Sequence, residues 1–171
     1  KLVSVAESTD VMVALEAEMN RRLEGPGETA ATNFLLIHGL PQNKKLRFDE
    51  EASFSLDPAA GAGNPGLILN KLITEGASLG FHVIATCDTY NNVMRMLSRK
   101  ALSEFEMRVV FQMSANDSAS LIESPAANNL GLHRAILYNG QQGWMETFRP
   151  YALPDEGWLE QALEKLTRTS R

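Results

Sequence analysis

Residues 34–42 read FLLIHGLPQ: four apolar residues, then His38-Gly39, then Leu40-Pro41 as punctuation. Such a run is too short for a helix of its own and is bounded by breakers, so it reads as a buried strand of a parallel sheet. Two similar runs follow, FHVIATC at 81–87 and MRVVFQM at 107–113. Between them lie LILNKLITEGASLG (67–80), with Leu69, Leu72 and Ile73 at helical spacing and Gly76 or Gly80 to close it, and VMRMLSRKALSEF (93–105), which reads as one amphipathic helix. Strands alternating with helices from 34 to 113 predict an α/β fold on a mostly parallel sheet.

Outward from this centre, STDVMVALEAEMNRRLEG (8–25) carries Val11, Leu15, Met19 and Leu23 at steps of four. Ser8 or Thr9 offers a cap, Arg21 and Arg22 sit in the last turn, and Gly25-Pro26 stops the helix. KLVSVA (1–6) reads as a strand or an extended lead-in. Residues 42–66 form a long polar stretch ending in Gly, Asn and Pro, of a length that compact domains reserve for function or motion. Downstream, SANDSASLIES contains a short helix, two strands flank the turn Asn139-Gly140, and a terminal helix starts after Asp155 as its cap.

The 171 residues suit a single domain over 1–171. With 44% hydrophobic and 22% charged residues the composition is that of an ordinary cytoplasmic protein. A net charge of −5 argues against gripping nucleic acid by bulk charge, although a local basic segment still could. One cysteine, Cys87, excludes an internal disulfide and a cysteine-based metal cluster. No apolar run reaches the ~18 residues of a membrane span, so no membrane contact is expected of this segment. The opening KLVSV, which could be mid-strand, suggests a fragment of a longer polypeptide.

An ordered series of motifs resembles the FtsK/SpoIIIE family of DNA translocases. It runs Leu79-Gly80-Phe81-His82, then Ala85-Thr86-Cys87, then Arg108-Val109-Val110-Phe111. Ser114, Asp117-Ser118 and Leu130-Gly131-Leu132-His133-Arg134-Ala135-Ile136-Leu137 follow. With the upstream helix, the resemblance spans roughly residues 8–150. It implies the C-terminal portion of a RecA-like P-loop ATPase domain with a terminal hairpin and helix. It also implies a parent motor that uses ATP and Mg²⁺, acts on duplex DNA and assembles as a homo-oligomeric ring.

The departures bear on chemistry. FLLIHG stands where the family has its Walker B strand, whose Asp-Glu tip holds Mg²⁺ and orients the attacking water. His38 is a poor ligand for Mg²⁺, which prefers hard oxygen donors, and Gly39 has no side chain. The family's Ala-Thr-Gln sensor has become Ala85-Thr86-Cys87, and the acidic position of its turn is Arg134. No G-x-x-x-x-G-K-[ST] occurs in the chain, so the phosphate loop is missing and the chain alone is expected not to hydrolyse ATP.

Each candidate residue has two readings. Thr86, at a strand's C-terminal end where α/β sheets place ligands, is either a γ-phosphate sensor or a strand-end residue packing under a loop. His38 is a structural residue at the strand tip or a relic of the nucleotide site, and Cys87 is a buried small hydrophobe or a reactive thiol. Asp88 caps a turn or replaces the missing carboxylate. Arg108 makes a strand-edge salt bridge or acts in trans on a neighbour's nucleotide. Arg95, Arg99 and Lys100, on one face of the expected helix 93–105, are solvated charge or DNA contacts. His82 reads as a satisfied core histidine, His133 as a turn residue, and Asp49, Glu50 and Glu51 as solvated charge. Three scattered histidines suggest no metal site.

The leading expectation is therefore part of an FtsK/SpoIIIE-like DNA translocase motor. The alternatives are a degenerate pseudo-ATPase module kept for assembly or regulation, or an ATPase domain of a secretion or mobile-element system.

Overall fold

The computed structural model describes residues 2–25, 31–49 and 63–169. Pro26, Glu50, Glu51 and the stretch to Ala62 lie outside the described residues. The chain divides into two compact units, Lys1–Glu106 and Met107–Arg171, each taken by itself.

In the first unit, a short 3-10 turn, Val5–Glu7, leads into helix α1, Ser8–Glu24. The buried stripe of α1 runs through Ser8, Met12 and Met19, with Leu15 packed against the same core and Arg22 taking the last place. Val11 and Leu23 do not complete it as the steps of four suggested; Leu23 is 58% exposed. The reason is geometric: a helix of 3.6 residues per turn drifts about 40° for each step of four, so alternating steps of four and three hold the face.

Strands β1 (Asn33–Ile37) and β2 (Phe81–Ala85) pair in parallel, from Asn33↔Phe81 to Ile37↔Ala85. Leu35, Ile37 and Val83 pack onto the core. Their neighbours Phe34, Leu36 and Ile84 are each more than half exposed. The apolar runs suggested strands buried on both faces, whereas the helices of this unit cover one face, so burial alternates with the pleat. His82 lies on the open face, stacked on Phe34 at 5.3 Å, and is not a core histidine.

Helix α2, Pro65–Glu75, starts at Asn64, whose side chain accepts from the Gly66 and Leu67 N–H groups. It buries Ile68, Leu69 and Leu72 against Met12, Met19 and Phe81. A Cβ at Gly66 would run into the Arg47 carbonyl, so only glycine lets the first turn of α2 press on that backbone. The expected helix 93–105 is two helices, α3 (Tyr90–Met96) and α4 (Arg99–Ser103). Leu97 is extended at φ −123°, Ser98 caps α4, and the Ser98 N–H donates to Oδ1 of buried Asn70 at 2.9 Å. Asn70 Nδ2 in turn donates to the Gly66 carbonyl, so a tertiary amide bridge breaks the helix.

In the second unit, β3 (Met107–Val110), β4 (Ala135–Asn139) and β5 (Trp144–Phe148) form an antiparallel sheet in that order. The alternation of elements had placed β3 in the parallel sheet. Instead, helix α5 (Ala115–Ile122) and the 3-10 turn Pro125–Asn129 carry the chain back antiparallel to β3. Glu123 (φ 57°) and His133 (φ 57°) sit at the reversals, the latter a turn residue as expected. Ser118 is fully buried and satisfied: its hydroxyl donates to the Ser124 carbonyl and accepts from the Ala127 N–H. The β4–β5 connection spans residues 140–143, longer than a two-residue Asn-Gly turn, and Asn139 Oδ1 accepts from the Gln142 N–H within it. Helix α6, Glu156–Thr169, begins at Asp155, which caps the Trp158 N–H as expected. No described helix is long and apolar enough to cross a membrane.

Candidate functional site

Parallel pairing in register brings the C-terminal tips of β1 and β2 together, the end where α/β sheets place ligands. His38, Gly39, Thr86, Cys87 and Asp88 all gather there. The backbone ladder continues past the strands: Thr86 N–H donates to the Ile37 carbonyl at 2.9 Å, and Leu40 N–H to the Thr86 carbonyl at 2.8 Å.

The Thr86 side chain closes the tip. Its hydroxyl accepts from the Gly39 N–H at 2.8 Å and lies 3.3 Å from His38 Nδ1. A hydroxyl offers one donor and two acceptor positions, so two protein contacts occupy most of its capacity. Here Thr86 acts as a clamp between two strand tips.

Gly39 sets the shape of the tip. It is left-handed at φ +66°, and a Cβ there would meet Gln42 Nε2 at 2.8 Å. Gly39 thus has a backbone that disfavours most side chains, with the Gln42 amide in the space a Cβ would take.

Asp88 is the nearest acid in the sequence to this tip. One oxygen accepts from Asn92 Nδ2 at 2.8 Å, and this bond holds the carboxyl below the usual range. Thr89 caps α3 through the Asn92 N–H, so Asp88, Thr89 and Asn92 form one turn. Cys87 is half-buried rather than buried. Burial pushes its thiol up, and Sγ lies 3.6 Å from the Thr89 carbonyl, so it is protonated at neutral pH and a poor nucleophile.

These residues do not fit a hydrolytic Mg²⁺–ATP centre. The tip offers an imidazole, a side-chain-free backbone and an occupied hydroxyl, with one exposed carboxylate engaged by Asn92. Among the described residues no three His, Cys, Asp or Glu side chains come together to hold a metal.

The basic candidates separate. Arg95 ends α3 while Arg99 and Lys100 open α4, so the helical face expected to carry all three does not form. Arg108, in the second unit, donates from a guanidinium nitrogen to the Leu121 carbonyl at 2.6 Å. There a cation meets the C-terminal end of α5, a favourable placement against the helix dipole.

No protein-family model matches this sequence, and no curated protein matches it. Among solved structures, the conjugation coupling protein TcpA of pCW3, in its monomer form with ATPgS, is similar at a TM-score of 0.69 and 13% identity. The match covers 97% of this chain and 50% of the other, so the chain spans about half the length of that structure. At this identity the likeness establishes the fold: mixed α/β with a parallel sheet and flanking helices, of the RecA-like type expected from the sequence.

Proposed function

We propose that this chain is a non-hydrolysing module of a motor-like ATPase assembly that moves DNA in a mobile-element system. It keeps the RecA-like fold for assembly with its own kind and with duplex DNA, and leaves ATP hydrolysis to other groups. The observation that carries the reading is Gly39: left-handed, crowded by Gln42 and clamped by Thr86, it lies at the strand tip to which the resemblance assigns a Walker B carboxylate. The order of motifs and the fold likeness to a coupling protein support the choice of assembly. They do not bear on whether this chain turns over nucleotide.

A second reading rests on Asp88. Held ionised by Asn92 and two residues beyond Thr86, it could replace the lost acid, which would make the chain part of a working translocase. ATP turnover by the assembly that contains this chain and supplies a phosphate loop, with and without duplex DNA, separates the two. The expected result is turnover that Asp88→Asn leaves unchanged in either condition. DNA-stimulated turnover that disappears in Asp88→Asn would overturn the proposal in favour of the second reading.

A further inference from the structure

The first unit holds an open cleft of roughly 870 Å³ walled by Lys44, Lys45, Arg47 and Arg95. The first two come from the 3-10 turn Lys44–Leu46, Arg47 follows it directly, and Arg95 comes from the last turn of α3. All four are exposed, and among the described residues none has an ion-pair partner. Lys45 Nζ makes one long contact, 3.4 Å, to the Ala6 carbonyl. Asp49 is the single carboxylate among the described lining residues, so beside four cations this described lining is net positive in a chain of net charge −5.

Two further features narrow the ligand. The start of α2 also borders the cleft but offers no anion site: Pro65 has no N–H, and Asn64 Oδ1 already accepts from Gly66 N–H at 3.0 Å and Leu67 N–H at 3.3 Å. An anion is therefore met by spread side-chain charges and not by converging backbone donors, which suits a run of phosphates better than one tightly held phosphate group. Phe48 lies beside the cations, half-buried, its position fixed by its N–H donating to the Met96 carbonyl at 3.1 Å. A positive groove with an aromatic ring is the arrangement that tracks an unpaired strand, backbone on charge and base on ring.

We propose that this cleft binds single-stranded nucleic acid. Lys44, Lys45, Arg47 and Arg95 contact successive phosphates while Phe48 stacks under a base. The volume lies within the range of about 300–1,000 Å³ typical of small-ligand cavities, room for a few nucleotides but not for a duplex, which would rest on the rim. Among the described lining residues the cleft shares none with the strand tips. The inference goes beyond the function proposed above and stands on the cleft's own charge and shape.

The test is fluorescence anisotropy with a labelled oligo-dT of about 12 nucleotides and the matching duplex, over a salt series. The unpaired strand is expected to bind more tightly, with a log–log salt slope near −3, about −0.7 for each of four phosphate contacts. Lys44→Ala with Arg47→Ala should weaken binding more than ten-fold and reduce the slope by about 1.4. Phe48→Leu should weaken it at least five-fold with the slope unchanged, the lower end of the ~1–3 kcal/mol per stacked base. Arg149→Ala should bind as wild type, and circular dichroism melts show that each variant is folded. Should Phe48→Leu fail to fold, Arg95→Ala alone carries the test through its slope, expected to fall by about 0.7. Absence of oligo-dT binding at low salt, an unchanged slope in the Lys44/Arg47 variant, or tighter binding of duplex or of inorganic triphosphate would each overturn the proposal. None of these outcomes bears on ATP turnover, so the two proposals fail separately.

Discussion

The two ends of the β1–β2 pair are built on opposite principles. At the entry end, Arg22 is almost enclosed: it bonds Glu18, the Leu79 carbonyl at 2.7 Å and the Ala31 carbonyl at 3.0 Å, and lies 4.4 Å over the Phe81 ring. At the exit end, one exposed threonine hydroxyl joins the strand tips and no charge lies on the strands themselves. Buried charge fixes the fold at the entry end, whereas the exit end carries one exposed carboxylate, Asp88, engaged by Asn92. An enzyme of this architecture concentrates carboxylates and unsatisfied donors at the exit end. This contrast is what the proposed scaffold role rests on.

Arg22→Ala should be the most damaging change, because it strips partners from Glu18 and two carbonyls at once. A loss of about 3 kcal/mol is expected by denaturant unfolding. A loss below half that would mean the entry end is not the anchor. At the exit end, Gly39→Ala forces a Cβ into a left-handed position against Gln42 and should cost about 1–2 kcal/mol. Thr86→Val keeps the shape and removes the clamp. It should cost about 1 kcal/mol, since water can take over the exposed Gly39 N–H, and Thr86→Ser should recover most of that.

The smallest effect is a pH dependence. The Arg21 and Arg22 guanidiniums bond Glu18 and lower its carboxyl from the ordinary 4.5 to about 2. A folded-state value below the unfolded one stabilises fully above pH 4.5, and this contribution fades as pH falls toward 2. Melting temperature followed from pH 5 to pH 2 should show this acid-sensitive component in the wild type, and Glu18→Gln should lack it. An identical pH profile in the two proteins would remove Glu18 from the entry-end network.

Much of this organisation was legible in the residues. Gly76 closes α2, Asp155 caps α6, and two of the three apolar runs became the parallel pair, because caps and short runs are local signals; the start of α2 at Pro65 under the Asn64 cap fell in the stretch read as a polar loop. The misses have tertiary causes. Leu23 fails to bury because the stripe of α1 follows 3.6 residues per turn, leaving the last place to Arg22. The break at Leu97-Ser98 depends on Asn70, far away in sequence. Phe34, Leu36 and Ile84 are open because helices cover one face of the strands, which an apolar run cannot reveal. At the candidate site the His38-Gly39 tip, with no carboxylate, could be read directly, but the left-handed Gly39 and its Gln42 neighbour could not. The cleft cations Lys44, Lys45 and Arg47 were visible only as part of a polar stretch, since their juxtaposition with Arg95 is made by the fold.

The central claim, that the exit end is a clamp and not a metal–nucleotide centre, is tested most directly by amide NMR shifts during titration with Mg²⁺ and a non-hydrolysable ATP analogue. The account predicts that the amide signals of Gly39, Thr86 and Asp88 do not move saturably at millimolar ligand. Saturable shifts centred on those three amides, abolished by Asp88→Asn, would contradict it and place the chemistry back at the strand tips.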